Sequence, residues 1–352
     1  MLKNPFFIIG VQRSGTTLLS VMLEKHSAVM MESRVVAFRL ITCFQNIYRL
    51  LPHNLEVDRK IFLAWLAEHD HKGQLKDLLD LEHIDKYKNI RSFIEASIEK
   101  KLRENNREIW GDKAPNLQHY IPDILALIPN ARFIHIVRDG RACASSMSKR
   151  TYKNLSLSAQ QWVDGNVLSV INQDLLGEEN YMIVYYESLL KHPEQSARKI
   201  CAFLDIPYDP TMIELSDIDR DREESYVKNY FDTSKIDDWK KKLSRIEIRK
   251  IEIIQGPLLS TLGYELSDAR YLKEHQPLSL RQRIMYNQWD QFKLLFKGKR
   301  KGMKDKQLVD IHVSLKMRIH AFLRFLYRDY LSTEIFQNRF SHFFYKKKKY
   351  EE

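Results

Sequence analysis

Cysteine is scarce in this chain. Only Cys43, Cys143 and Cys201 occur in 352 residues, with no C-x-x-C pair. So odd and scattered a set argues against a disulfide framework or a zinc site and fits a reducing compartment. The twelve histidines contain no H-x-x-x-H or H-E-x-x-H spacing, which disfavours a zinc hydrolase. No apolar run approaches the roughly 20 residues that span a bilayer. A strand-like run begins at Phe6, leaving no space before it for a charged segment and an apolar signal core. These absences predict a cytoplasmic protein, at most peripheral at a membrane.

What is present is globular. Hydrophobic residues make up 44% and aromatics 11%, enough for a substantial core in one large domain or two modest ones. Charge is unevenly placed. Residues 270–352 carry 20 Lys and Arg against 8 Asp and Glu, so +12 of the net +11 lies there and the body sits at −1. A basic tail on a near-neutral body points to an anionic partner or surface. The expected division is therefore 1–269 as the working domain and 270–352 as a basic helical extension.

Short β-branched or aromatic runs, Phe6–Ile9, Arg132–Val137 and Tyr181–Tyr185, read as buried parallel strands. Helical segments are predicted at Thr16–His26, Val35–Leu50, Arg91–Asn105, Leu117–Leu127, Arg141–Lys149, Ser158–Leu176, Pro193–Leu204 and Ile246–Leu262, the last stopped by Gly263. Such alternation predicts an α/β fold, a P-loop-type parallel sheet flanked by helices. There is no internal repeat, and the one low-complexity tract is Lys346–Lys349.

The segment "FFIIGVQRSGTTLL" (6–19) lacks one residue that its pattern leads one to expect. Gly10, four residues and Gly15 resemble a phosphate loop, but Thr16 stands where the usual lysine reaches a γ-phosphate, and the cation is Arg13. Two glycines after a strand let backbone N–H groups converge, and a helix from Thr16 adds its positive end. Ser14, Thr16 and Thr17 offer hydroxyls. A plain glycine turn is the structural alternative. A second segment, "RFIHIVRDGRACASSM" (132–147), ends a strand in Arg138 and places Ser146 eight residues later, just over two helical turns on. The two could share one phosphate; the alternative is an Arg138–Asp139 surface pair with a solvated serine. His135, mid-strand, reads as a core residue.

With these motifs the chain resembles the PAPS-dependent sulfotransferases (PAPS is 3′-phosphoadenosine 5′-phosphosulfate). In that family an S-G-T-T loop holds the 5′-phosphosulfate and an Arg…Ser pair holds the 3′-phosphate. The likeness extends through "WGDKAPN" (110–116), "VYYESLLKHPE" (184–194), "KICAFLDIP" (199–207) and the stretch 237–265. "GVQRSGTTLL", "MESR" and "VRDGRA" are most similar to the tyrosylprotein sulfotransferase branch and its bacterial relatives.

The resemblance implies sulfonate transfer from PAPS to an acceptor hydroxyl on a peptide, glycan or lipid, without a metal. It implies Arg13, Ser14, Gly15, Thr16, Thr17, Arg138 and Ser146 as donor contacts, with Ser225 and Lys228 of "SYVKNY" closing over the nucleotide. Glu32 of "VMMESR" matches the family's base, against the alternative of a Glu32–Arg34 surface pair. Lys113 matches the cation that neutralises the leaving group, seated in a rigid turn beside Asp112, with Arg13 sharing that work.

Beyond the likeness, "LKMRIHAFLRFLYRDYL" (315–331) has the i, i+3, i+4 pattern of an amphipathic helix. Its apolar side suits docking on this domain or a homodimer; the surrounding lysines suit an anionic membrane. Nucleic acid is disfavoured, since no binding signature accompanies the charge. Two other readings compete. One is a P-loop small-molecule kinase, against which the missing lysine and the Arg138…Ser146 pair speak. The other is an inactive membrane- or protein-binding module, against which intact Glu32, Lys113 and Arg13 speak.

Overall fold

A computed structural model describes residues 2–32, 63, 74–87, 90–113, 116–151, 153–215 and 231–297. They belong to two compact units, Met1–Arg138 with Ser169–Thr233, and Asp139–Leu168 with Ser234–Glu352. Among the described residues no helix is long and apolar enough to cross a membrane.

The first unit is built on a five-stranded sheet of β1 (Phe6–Ile9), β2 (Val29–Glu32), β3 (Ile109–Lys113), β4 (Arg132–Val137) and β5 (Tyr181–Tyr185). The strand order is β2-β3-β1-β4-β5 and every pairing is parallel. Phe7 anchors the centre, edge-on to Trp110 at 5.6 Å and stacked with Phe133 at 5.8 Å between ring centres. Parallel pairing puts the carboxyl ends of all five strands on one edge. From β1 the chain goes first to β2 at the edge, comes back to lay β3 between β2 and β1, and then places β4 on the other side of β1. A sheet with that order opens its ligand crevice at the carboxyl end of the strand where the direction reverses, here β1.

The helices of this unit are α1 (Thr16–Lys25), α2 (Gln74–Leu78), α3 (Ile90–Glu104), α4 (Ile121–Leu127), the C-terminal part of α6 (Leu155–Leu176), α7 (Tyr186–Lys191) and α8 (Pro193–Leu204). The second unit holds α5 (Gly140–Thr151), the first part of α6, α9 (Asp238–Lys242), α10 (Arg245–Thr261), α11 (Arg270–Lys273) and α12 (Leu280–Lys297). Its core joins Ala142, Ala144, Ala159, Trp239, Leu243, Ile251 and Ile254. Ser244 opens α10 with a reciprocal capping box to Glu247, and Gly263 closes it at φ 79°.

The predicted α/β sheet is therefore found, with the three predicted strands at their predicted bounds. Two strands, β2 and β3, were not expected. The predicted helix Val35–Leu50 and the amphipathic segment 315–331 lie outside the described residues.

Candidate active site

The loop between β1 and α1 has an inner and an outer side. Ser14 faces inward: its N–H and its hydroxyl both donate to the Val11 carbonyl, at 3.1 and 2.7 Å, and the residue is buried. That pair of hydrogen bonds tightens the turn, inside which Arg13 takes φ 72°. Gly15 takes φ 106°, and a Cβ there would lie 2.4 Å from the ring of Tyr186; one on Gly10 would lie 2.7 Å from the Ile136 carbonyl. Only glycine fits either place.

The outer side presents the start of α1. Its first intrahelical bond runs from the Leu19 N–H to the Gly15 carbonyl, 3.2 Å, so the amides from Gly15 to Leu18 precede the hydrogen-bonded ladder. No side chain caps the helix and no acidic residue occupies its first turn. Amides and helix dipole together make a receptor for an anion.

Three further strands bring charge to the same edge. Lys113 ends β3, and its ammonium donates to the Thr17 hydroxyl at 3.3 Å. Just beyond it the Asn116 N–H donates to the Gly10 carbonyl at 2.9 Å, tying the post-β3 segment to the loop. Glu32, half-buried, ends β2 in register with Asp112, the residue before Lys113. Arg138 follows β4; its Nη1 donates to the Arg13 carbonyl at 3.2 Å, and its guanidinium lies 4.3 Å from the centre of the Tyr186 ring. Tyr186 thus packs against both Gly15 and Arg138.

So Arg13, Thr16, Thr17, Lys113, Glu32 and Arg138 come together on one sheet edge. Lys113 sits at a strand end, not in the turn that its Asp and Ala-Pro neighbours suggested. Ser146 lies on α5 in the second unit and is half-buried. Ser225, Lys228 and Arg34 fall outside the described residues. His135 is fully buried, its Nδ1 bonded to the Tyr181 hydroxyl. Burial of that phenol raises its pKa strongly, as a core role requires.

One network escaped the sequence reading. Asp139 binds Arg141, at 2.8 Å to Nη2 and 3.0 Å to Nε. Arg141 also donates to Glu252, at 2.6 Å, and to the Glu265 carbonyl, at 2.9 Å, while stacking 4.2 Å over Trp239. Glu252 is wholly buried and takes the N–H and hydroxyl of Ser267 as well. The i, i+2 spacing of Asp139 and Arg141 was the available signal, though their partner lies 111 residues on.

Residues 5–210 match the model of a family described as "Sulfotransferase family". The chain belongs to that family. The matched span contains the loop, the ends of β2, β3 and β4, and Ser146. Among curated relatives, a protein-tyrosine sulfotransferase of Drosophila melanogaster is 29% identical over 289 residues, 74% of this chain and 51% of that protein. A putative protein-tyrosine sulfotransferase of Caenorhabditis briggsae is 27% identical over 290 residues, 75% of this chain and 90% of its own length. This sulfotransferase chain thus spans about half of the first relative and most of the second. Among solved structures, a sulfotransferase domain from the curacin biosynthetic pathway matches at 25% identity with TM-score 0.51, covering 75% of this chain and 99% of that one.

Proposed function

We propose that this protein transfers a sulfonate group from PAPS to an acceptor hydroxyl. The observation that carries the reading is the uncapped amino end of α1, set between Lys113 and Arg138 on the edge that also holds Glu32. PAPS suits this edge because the amides of residues 15–18 can receive a 5′-phosphate and Arg138 a 3′-phosphate, to which the sequence motif adds Ser146. A donor without a γ-phosphate needs no lysine at position 16, and the cations flank the loop instead. Residues 1–269 carry the chemistry in this reading, and no metal is required.

The roles follow from position. Glu32 accepts the acceptor's proton while the acceptor oxygen bonds to sulfur. The bond from sulfur to the bridging oxygen breaks as this happens. Lys113 and Arg13 balance the charge that grows on the leaving phosphate, by fixed electrostatics of the kind that dominates phosphoryl transfer. The activity for which the relatives are named supplies the first acceptor to test, a tyrosine in a peptide, with glycan and lipid-linked hydroxyls as comparisons.

Calorimetric titration with PAP, the desulfonated product, and with ATP tests the donor. PAP should bind far more tightly, and Arg138→Ala should weaken it by roughly ten- to a hundredfold. Equal binding of ATP and PAP would overturn the donor assignment. Turnover of PAPS with a tyrosine peptide tests the base: Glu32→Gln should lower the rate by about 10² to 10⁴ and leave PAP affinity nearly intact. Near-normal turnover would hand that role to another group.

A further inference from the structure

The first turn of α10 carries an apolar side chain that the fold does not use. Ile246 is 69% exposed. On the same helix Ile251 and Ile254 lie in the core of the second unit, and Ile248 packs against it. A β-branched residue does not favour a helix by propensity either. Ser244 and Glu247 already secure the start of α10 through their capping box. Packing, propensity and capping all leave Ile246 without a structural reason.

Exposed cations surround it. Lys250 lies one turn on from Ile246, Arg245 precedes it, and Lys241 stands just before the Ser244 cap. The Ser244 N–H and hydroxyl first, then Lys149 and Lys250, hold the Glu247 carboxyl below its usual range, which puts exposed Lys149 of α5 at the same corner. Other cations there are answered: Lys240 by Asp237 at 2.8 Å, Lys242 by Asp238, and Arg249 by Glu274 at 3.0 Å. Lys149, Lys241, Arg245 and Lys250 make no ion pair among the described residues. Glu247 is the one carboxylate beside them, and it is committed to the cap. Positive charge at the amino end of a helix opposes its dipole, so Arg245 does not serve the stability of α10 either.

We propose that this corner of the second unit docks on an anionic lipid bilayer, with Ile246 entering the headgroup boundary and the four unanswered cations meeting lipid phosphates. An apolar tip ringed by positive charge calls for a surface that is anionic on top and apolar beneath, which a bilayer provides. Each basic residue near such a surface strengthens binding about fivefold, within the Debye length. An isoleucine that leaves water adds about tenfold. Charge of the same sign follows in the chain, where residues 299–306 hold five Lys and Arg against Asp305 alone. A second copy of the chain fits less well, because a two-fold contact centred here would set like charges against each other. An acidic protein segment would answer the cations and leave Ile246 without a role.

The test uses the full chain and vesicles of phosphatidylcholine with or without phosphatidylglycerol. Co-sedimentation should require the anionic lipid and weaken as salt rises. Ile246→Ser should lower partitioning about tenfold, and Lys241→Ser/Arg245→Ser/Lys250→Ser about a hundredfold. Circular dichroism and melting temperature should show both variants folded as the parent is. Ile246→Trp should bind as the parent does, and brominated lipid should quench its fluorescence more than the parent's. Three results would each overturn the proposal. The first is a parent that ignores anionic vesicles at low salt. The second is parental binding by both serine variants, which would assign the vesicles to the basic residues beyond 297. The third is loss in the triple variant alone, with no added quenching in Ile246→Trp. That would make the corner a plain anion-binding surface, open to acidic proteins as much as to lipid.

Discussion

The ammonium of Lys113 donates to the hydroxyl of Thr17, 3.3 Å away, joining the end of β3 to the first turn of α1. Because Thr17 also stands at the open end of the helix, one hydroxyl holds the cation beside the place where an anion would sit. Thr17→Val should therefore lower turnover roughly tenfold, the scale of one hydrogen bond to a charged group. Its melting temperature should hardly change. Lys113→Ala should cost more, about 10² to 10³ in rate, because it removes the charge itself, and should weaken PAP binding too. Steady-state kinetics beside calorimetry would separate the two; equal effects from both variants would show that Thr17 does more than aim the lysine.

A second prediction uses two glycines with similar backbones and different surroundings. Gly15 and Gly263 both have positive φ, 106° and 79°, but a Cβ on Gly15 meets the Tyr186 ring while one on Gly263 meets nothing within 4 Å. Gly263→Ala should cost only the left-handed strain, about 1–2 kcal/mol. Gly15→Ala should cost more, since Tyr186 must shift, and the shift disturbs the ring beneath the Arg138 guanidinium. PAP affinity should drop in Gly15→Ala and stay unchanged in Gly263→Ala. Thermal melts with and without PAP would check both.

Much of this site is legible in the sequence, and the gaps have physical causes. Phe6–Ile9, Arg132–Val137 and Tyr181–Tyr185 are short runs rich in β-branched and aromatic residues, as buried strands are. The strands that carry Glu32 and Lys113 offer no such signal. "VMME" is four residues with one β-branched side chain. "IWGDK" contains Gly and Asp, both turn residues by habit; the glycine is there because the Phe6 ring occupies the space of its Cβ. Each strand also finishes in a charged residue, Glu32 or Lys113, which weakens the apolar pattern further. The Arg141–Glu252 bond joins positions too distant for any local pattern to report.

The third prediction concerns acid. Asp209 accepts the N–H and hydroxyl of Thr211, at 3.0 and 2.7 Å, and the N–H and hydroxyl of Ser27, each at 3.0 Å. The Thr211 hydroxyl first, then the Ser27 backbone, hold this carboxyl far below the usual range. A carboxyl whose folded pKa lies below its unfolded value stabilises the fold above about pH 4, and that contribution is lost as pH falls towards the folded value. Asp209→Asn should be less stable than the parent at pH 7, and the gap should narrow below about pH 4. Urea denaturation at several pH values reads this directly; a gap independent of pH would assign the effect to lost packing instead.

The last prediction weighs the buried charges of the second unit. Arg141 is nearly buried and faces Asp139 and the wholly buried Glu252. Removing one partner of such a pair leaves charge without compensation and typically costs about 3–5 kcal/mol. Arg141→Met should fall in or above that range, because it strands two carboxylates. Arg141→Lys keeps the charge but loses the planar fork that reaches Asp139, Glu252 and the Glu265 carbonyl together while lying on Trp239. It should cost less than the methionine and more than a surface change. Glu252→Gln should be mildest, since an amide can still accept from Ser267 and removes one of the two negative charges beside Arg141. The expected order of stability in urea is parent, Glu252→Gln, Arg141→Lys, Arg141→Met. If Arg141→Lys matched the parent, the guanidinium geometry would be incidental and charge alone would hold the network.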